Sequence, residues 1–221
     1  MRDPLNGDIL QLVLVLGFLI LCLGIHEAAH AWVAHLCGDD TAKDMGRLTL
    51  NPVPHIDPFM TIILPAMLFL GTGGRMMFGG ARPVPVNPHN LRHRSRDMML
   101  VALAGPASNF VLAVLFMVVW KVLVQVLEMP AEALAPRVME QTVLFNILLA
   151  AFNMVPIPPL DGSRVMAYFL PSNLRETYVN LERFGMLLVF AFVFYPPTSR
   201  LLFSVMKPMW DTAHVLSGGN W

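Results

Sequence analysis

Long apolar runs alternate with short polar connections along this chain. A bilayer-spanning helix needs about 20 apolar residues. Three runs reach or approach that length, at 9–37, 98–127 and 178–195. A fourth, 142–155, is short by itself but is continued by an apolar, proline-rich stretch to Leu160. A weaker stretch, 201–206, is too short to cross. Residues 59–70 are ambiguous, being apolar, interrupted by Pro65 and only of re-entrant or interfacial length. Lys43 and Arg47 precede this stretch, and Arg75, Arg82, Arg92, Arg94 and Arg96 follow it. Basic loops prefer the same, cytoplasmic side, which favours a re-entrant or surface-lying segment here. On that basis the first helix runs inward, the second outward, the third inward and the fourth outward, with loop 128–140 outside.

The connection 71–97 is rich in Gly and Pro. Within it, Pro83, Pro85 and Pro88 restrict the residues before them to extended backbone. Segment 81–88 therefore reads either as a surface loop or as an edge strand of a small β-hairpin. The expected fold is an all-α, multi-pass membrane bundle of about four to six transmembrane or re-entrant segments. We expect one domain over 1–221, with its core at 9–37, 98–127 and 141–164.

Composition supports this class. The chain is 56% hydrophobic and 14% charged, where a soluble domain carries about 25% charged residues. Zero formal net charge gives no footprint for nucleic acid. The two cysteines, Cys22 and Cys37, make no disulfide framework and read as small apolar residues. Arg2 is offset by Asp3 and Asp8, so no positive n-region precedes the first run. That run is longer than a signal-peptide core, so it is expected to be retained, although Ala29-His30-Ala31 imitates a cleavage site.

The chemistry concentrates at His26-Glu27-Ala28-Ala29-His30. Helical positions i and i+4 share a face, so two imidazoles so spaced can hold one Zn²⁺ while Glu27 serves as base, the pattern of metalloproteases. Three polar groups at the end of an apolar run are costly unless paired or bound to a metal. The bland alternative is a polar cluster satisfied by other helices. A catalytic zinc takes three protein ligands, and no further histidine follows at the spacing that would complete the set. His35 points to the helix end. Asp161 stands out among the carboxylates. The prolines before it end a helix while the chain is still apolar, on a segment running inward like the first. A simple turn aspartate before Gly162 is the alternative.

These residues resemble the site-2 protease family of intramembrane zinc metalloproteases, especially its short bacterial members without a PDZ domain. The resemblance rests on H-E-x-x-H at 26–30 and on Asn153-Met154-Val155-Pro156-Ile157-Pro158-Pro159-Leu160-Asp161-Gly162. The stretches 46–52, 55–58, 83–88 and 104–109 also match, within a span of about Gly24 to Arg164. The resemblance implies His26, His30 and Asp161 as ligands of one zinc, Glu27 as catalytic base, and Asn153 as a catalytic residue that positions or stabilises the substrate. It also implies an endopeptidase of the bacterial cytoplasmic membrane, acting on substrates with a transmembrane segment. Two other readings are a metal transporter and a non-catalytic membrane adaptor. The first expects further His, Asp or Glu lining the spans, which are scarce here; the charged pair Glu182 and Arg183 near the start of the fourth run is the main exception. The second expects a broken motif, but the motif is whole. The small residues Ala102, Ala104, Gly105, Ala107 and Ser108 form a patch suited to close helix packing. Substrate identity and oligomeric state have no signature in these residues.

Overall fold

A computed structural model of the chain describes residues 4–64, 67, 79–195 and 197–217. Among them the regular elements are all helical. They are α1 (Pro4–Leu36), α2 (Thr41–Asp44), α3 (Arg94–Lys121), α4 (Leu134–Asn153), α5 (Asp161–Phe169), α6 (Ser172–Val179), α7 (Gly185–Phe194) and α8 (Pro197–Leu216). Short 3₁₀ turns lie at Val53–His55 and Asn180–Phe184, and π-helical turns at Pro58–Ile63 and Val122–Val126.

Helices α1, α3 and α4 form the centre. Their register is readable from side-chain pairs. The His30 ring meets the Val101 carbonyl, and Phe18 meets Phe116 edge-on at 5.5 Å, so α3 runs antiparallel to α1. Cys22 meets Asn146, and Val15 clusters with Val138 and Met139, so α4 runs parallel to α1. Small buried residues permit the close approach: Ala28, Ala31 and Ala34 on α1, Ala102 and Ala113 on α3, Ala150 and Ala151 on α4. Helix α8 closes one flank, where Ala213 packs with Met117, Val143 and Ile147.

The outer faces are apolar as well. Leu12 and Val13 on α1, Val111, Leu115 and Val118 on α3, and Leu187 and Phe194 on α7 are all exposed. In water such faces would seek a partner; in a hydrocarbon layer they carry no penalty, and their backbone groups are satisfied within each helix. Among the described residues, three helical stretches are long and apolar enough to cross a membrane: Leu10–Leu36, Arg94–Val126 and Ser172–Phe194.

Several boundaries differ from the sequence expectation. Helix α4 starts at Leu134, so its first turns take up Arg137 and Glu140, which the apolar pattern left in a loop. Pro136 is tolerated there because first-turn N–H groups have no partner within the helix. The 178–195 run is divided by the 3₁₀ turn Asn180–Phe184. Stretch 201–206 belongs to a 20-residue helix, because polar and apolar residues alternate at helical spacing across Pro197–Leu216. Segment 81–88 is not paired as a strand among the described residues. The rest of the hairpin expectation, 71–78, falls outside them. So does much of 59–70, of which Pro58–Ile63 forms a π-helical turn started by Asp57, whose carboxylate accepts the Phe59 and Met60 N–H groups.

The turn from α4 into α5 is fixed by Gly162. A Cβ at this position would lie 2.2 Å from the Met154 carbonyl oxygen and 2.7 Å from that of Val155. These are backbone atoms that cannot swing aside. Gly162→Ala is therefore expected to destabilise the fold by about 1–3 kcal/mol. A lowered thermal unfolding midpoint in detergent would show it, and an unchanged midpoint would count against this packing.

Candidate active site

The bundle brings together side chains distant in sequence. His26 and His30 lie one turn apart on the buried face of α1, as i, i+4 spacing requires. Asp161 opens α5, whose N-terminus favours a carboxylate through its unpaired N–H groups and dipole. The chain reaches it through the Pro156–Pro159 run. That run is held by the Tyr178 hydroxyl, which donates to the Pro156 carbonyl at 2.8 Å.

The three side chains converge tightly. His26 Nε2 and His30 Nε2 are 3.0 Å apart, and Asp161 Oδ2 lies 3.3 Å from the first and 3.4 Å from the second. Neither approach to Asp161 is aligned as a hydrogen bond. His30 Nδ1 lies 2.7 Å from the Val101 carbonyl, which can only accept, so Nδ1 carries the proton and donates. The neutral ring then turns the Nε2 lone pair towards Asp161. Three electron-pair donors meet at one point with little water around them. A tetrahedral ion with arms of about 2.0–2.1 Å separates its ligand atoms by about 3.3–3.4 Å, close to the spacings found here. Two imidazoles, one carboxylate and a buried setting suit a zinc-like cation, and the His30–Val101 bond is the outer support that metal-bound histidines ordinarily have.

Glu27 is buried beside this cluster. Its Oε2 accepts the Val84 N–H at 2.8 Å. Val84 belongs to the extended segment over the end of α1, which is tied down repeatedly. The Arg82 N–H donates to the His55 carbonyl at 2.8 Å, and the Asn87 N–H to Asp39 Oδ2 at 2.7 Å. The buried Arg47 guanidinium donates to the Arg82 carbonyl at 2.6 Å. Burial pushes that guanidinium down from its ordinary range, against the pull of the Glu27 charge. Burial likewise raises the Asp39 carboxyl, but hydrogen bonds from Thr41, Asn87 and Asn90 outweigh it and hold the group below the usual carboxylate range. Two clusters of fixed charge thus clamp the segment that touches Glu27.

Of the residues singled out in the sequence, His26, His30 and Asp161 are brought together with Glu27 alongside. Asn153 is not joined to them by a hydrogen bond; its Nδ2 donates to Leu149 one turn back in α4. His35 lies apart, paired with Asp40 at 2.5 Å. Glu182 pairs with Arg164. Gly105, read from sequence as helix packing, does permit close approach, and the groups approached are the site nitrogens. A Cβ there would stand 2.4 Å from His30 Nε2 and 2.5 Å from His26 Nε2. Sequence reasoning missed Val84, Arg47, Asp39 and Val101 as supports. The traces of Gly105 in the sequence were its place in the small-residue patch and in the matching stretch 104–109.

Comparison with known proteins agrees with this geometry. The family model described as Peptidase family M50 matches residues 13–196. A Bacillus subtilis (strain 168) protein named "Putative zinc metalloprotease YwhC" is 39% identical over 185 residues, covering 81% of this chain and 78% of its own length. A protein named "Putative zinc metalloprotease Rip2" from Mycolicibacterium smegmatis (strain ATCC 700084 / mc(2)155) is 30% identical over 205 residues, covering 93% of this chain and 76% of its own. No solved structure matches. With a buried H-E-x-x-H helix meeting a distant aspartate, and a family match over most of its length, the chain belongs to peptidase family M50.

Proposed function

We propose that this protein is a zinc-dependent endopeptidase of the cell membrane, crossing it several times and cutting transmembrane or membrane-associated substrates. The observation that carries the reading is the convergence of His26, His30 and Asp161 beside Glu27. The family membership and the names of the relatives support zinc as the metal. His26 Nε2, His30 Nε2 and one Asp161 oxygen would hold it. When bound, zinc would supply Lewis-acid activation of water and of the scissile carbonyl.

The chain's own groups do the rest. Glu27 accepts the proton of the attacking water and later delivers it to the leaving amine. The Val84 N–H holds one of its oxygens, fixing the carboxylate's direction. Asn153, the last residue of α4, steadies the substrate once its amide turns from Leu149. The ten residues from His26 to Leu36 put the site about 15 Å from the helix end, on the side where Arg47, Arg82, Arg92, Arg94 and Arg96 gather. Water and a locally unwound substrate enter from that cytoplasmic side. The extended segment 81–88 offers backbone groups to which such a substrate can pair by strand addition.

Three measurements test this. Purified wild-type protein should hold about one zinc per chain. Asp161→Ala should hold it weakly, and the double change His26→Ala with His30→Ala should not hold it; Asp161→Ala with wild-type zinc content would remove the third ligand. Glu27→Gln should keep the metal while cleavage of a transmembrane reporter falls by about 10²–10⁴-fold; sustained turnover would exclude Glu27 as base. Gly105→Ala places a methyl group on the ligand nitrogens, so zinc content and cleavage should fall together, and a fully loaded Gly105→Ala protein would contradict the packing of α3 against the site.

A further inference from the structure

His30 has an outer partner in the Val101 carbonyl, whereas the corresponding ring nitrogen of His26, Nδ1, is buried without one. A ring that ligates metal through one nitrogen ordinarily donates the other N–H to a carbonyl, carboxylate or water. The helix register shows which side chains lie nearby. Val101 lies against His30, Gly105 against both histidines, and Phe116 against Phe18. Asn109, one turn beyond Gly105, therefore lies level with the α1 turn between Cys22 and His26. On α4, Asn146 occupies the same layer, because its Nδ2 donates to Cys22 Sγ at 3.2 Å.

Both asparagines are completely buried. Neither amide atom of Asn109 has a partner, and Asn146 Oδ1 has none. Leaving such groups unpaired in an apolar bundle is costly, and buried amides are almost always satisfied by protein or ordered water. Three helices thus bring unpaired polar atoms, on His26, Asn109 and Asn146, to the level of the α1 turn from Cys22 to His26. Both donors and acceptors are present, as a bound water requires.

We propose that Asn109 and Asn146 hold a buried water that accepts the His26 Nδ1–H, making Asn109 a positioning residue for the metal site. This rests on the reading of His26 as a ligand. The water supplies for His26 what Val101 supplies for His30. It fixes the tautomer that turns Nε2 towards Asp161, and it stops the ring from rotating out of line. Asn109 touches neither substrate nor reacting atoms and acts only through this water.

The test uses the full-length protein in detergent, with Asn109→Leu and Asn109→Asp beside wild type. Zinc affinity is measured by chelator competition, the visible spectrum is taken with Co²⁺ in place of zinc, and thermal unfolding is followed without metal. Leucine is close in size and removes two unpaired polar atoms, so the metal-free protein should unfold no earlier than wild type. Zinc affinity should nonetheless fall about 10–100-fold, with an altered Co²⁺ spectrum. Asn109→Asp keeps an acceptor oxygen and should stay within about threefold of wild type. Unchanged affinity and spectrum in Asn109→Leu would overturn the proposal, as would an equal loss in both variants or a loss matched by early unfolding of the metal-free protein. Wild-type protein that binds no metal would overturn the ligand reading, and this proposal with it.

Discussion

Electron pairs that face one another in an apolar interior repel unless a positive charge lies among them. His26, His30 and Asp161 impose that constraint, and much of the fold serves it. Their atoms come within 3.4 Å because two backbones come closer than side chains would ordinarily allow. Helix α3 lays Gly105 against the histidines, and the α4–α5 turn passes so close to Gly162 that no Cβ fits. In water a polar trio of this kind would contribute little. In a bundle whose outside is also apolar it is the most demanding feature of the molecule. Small residues on α1, α3 and α4 are therefore part of the site as much as of the core.

The second layer of organisation lies at the end of α1. Segment 82–87 has no strand partner among the described residues and depends for its position on three side chains and the His55 backbone carbonyl. Asp39, Arg47, His55 and Glu27 each bind a backbone group of it. Glu27 is the member of this set that also borders the histidine cluster. Its carboxylate joins the bundle interior to the loop outside, so the orientation of that carboxylate depends on the clamp made by Asp39 and Arg47.

The apolar runs and the two motifs made the helical class and the central trio legible before any coordinates. Helix ends were harder. Arg137 and Glu140 interrupt an apolar pattern without interrupting a helix, since backbone hydrogen bonding continues through polar residues. The 3₁₀ turn at Asn180–Phe184 has no Pro or Gly at its start to announce it. Within the site, the trio and Glu27 were legible from their side chains, whereas the side-chain supports Arg47 and Asp39, and groups contributed by backbone or by the lack of a side chain, were not. Val101 contributes a carbonyl, Val84 an N–H and Gly105 an open space. None of these depends on residue chemistry that a linear pattern can display. Asn109 closes the matching stretch 104–109, but its level against His26 requires the register of three helices.

The separation of the trio along the chain bears on how the protein is made. Two histidines and the glutamate enter with the first helix, while the aspartate follows 135 residues after His26, since Asp161 stands at position 161 and His26 at position 26. During synthesis α1 is complete before α5 exists. On the proposed assignment, a nascent or truncated chain ending before Asp161 carries a base but no complete ligand set. Hydrolytic competence then arrives only when the α4–α5 turn closes, so a half-made copy cannot attack its neighbours in the membrane.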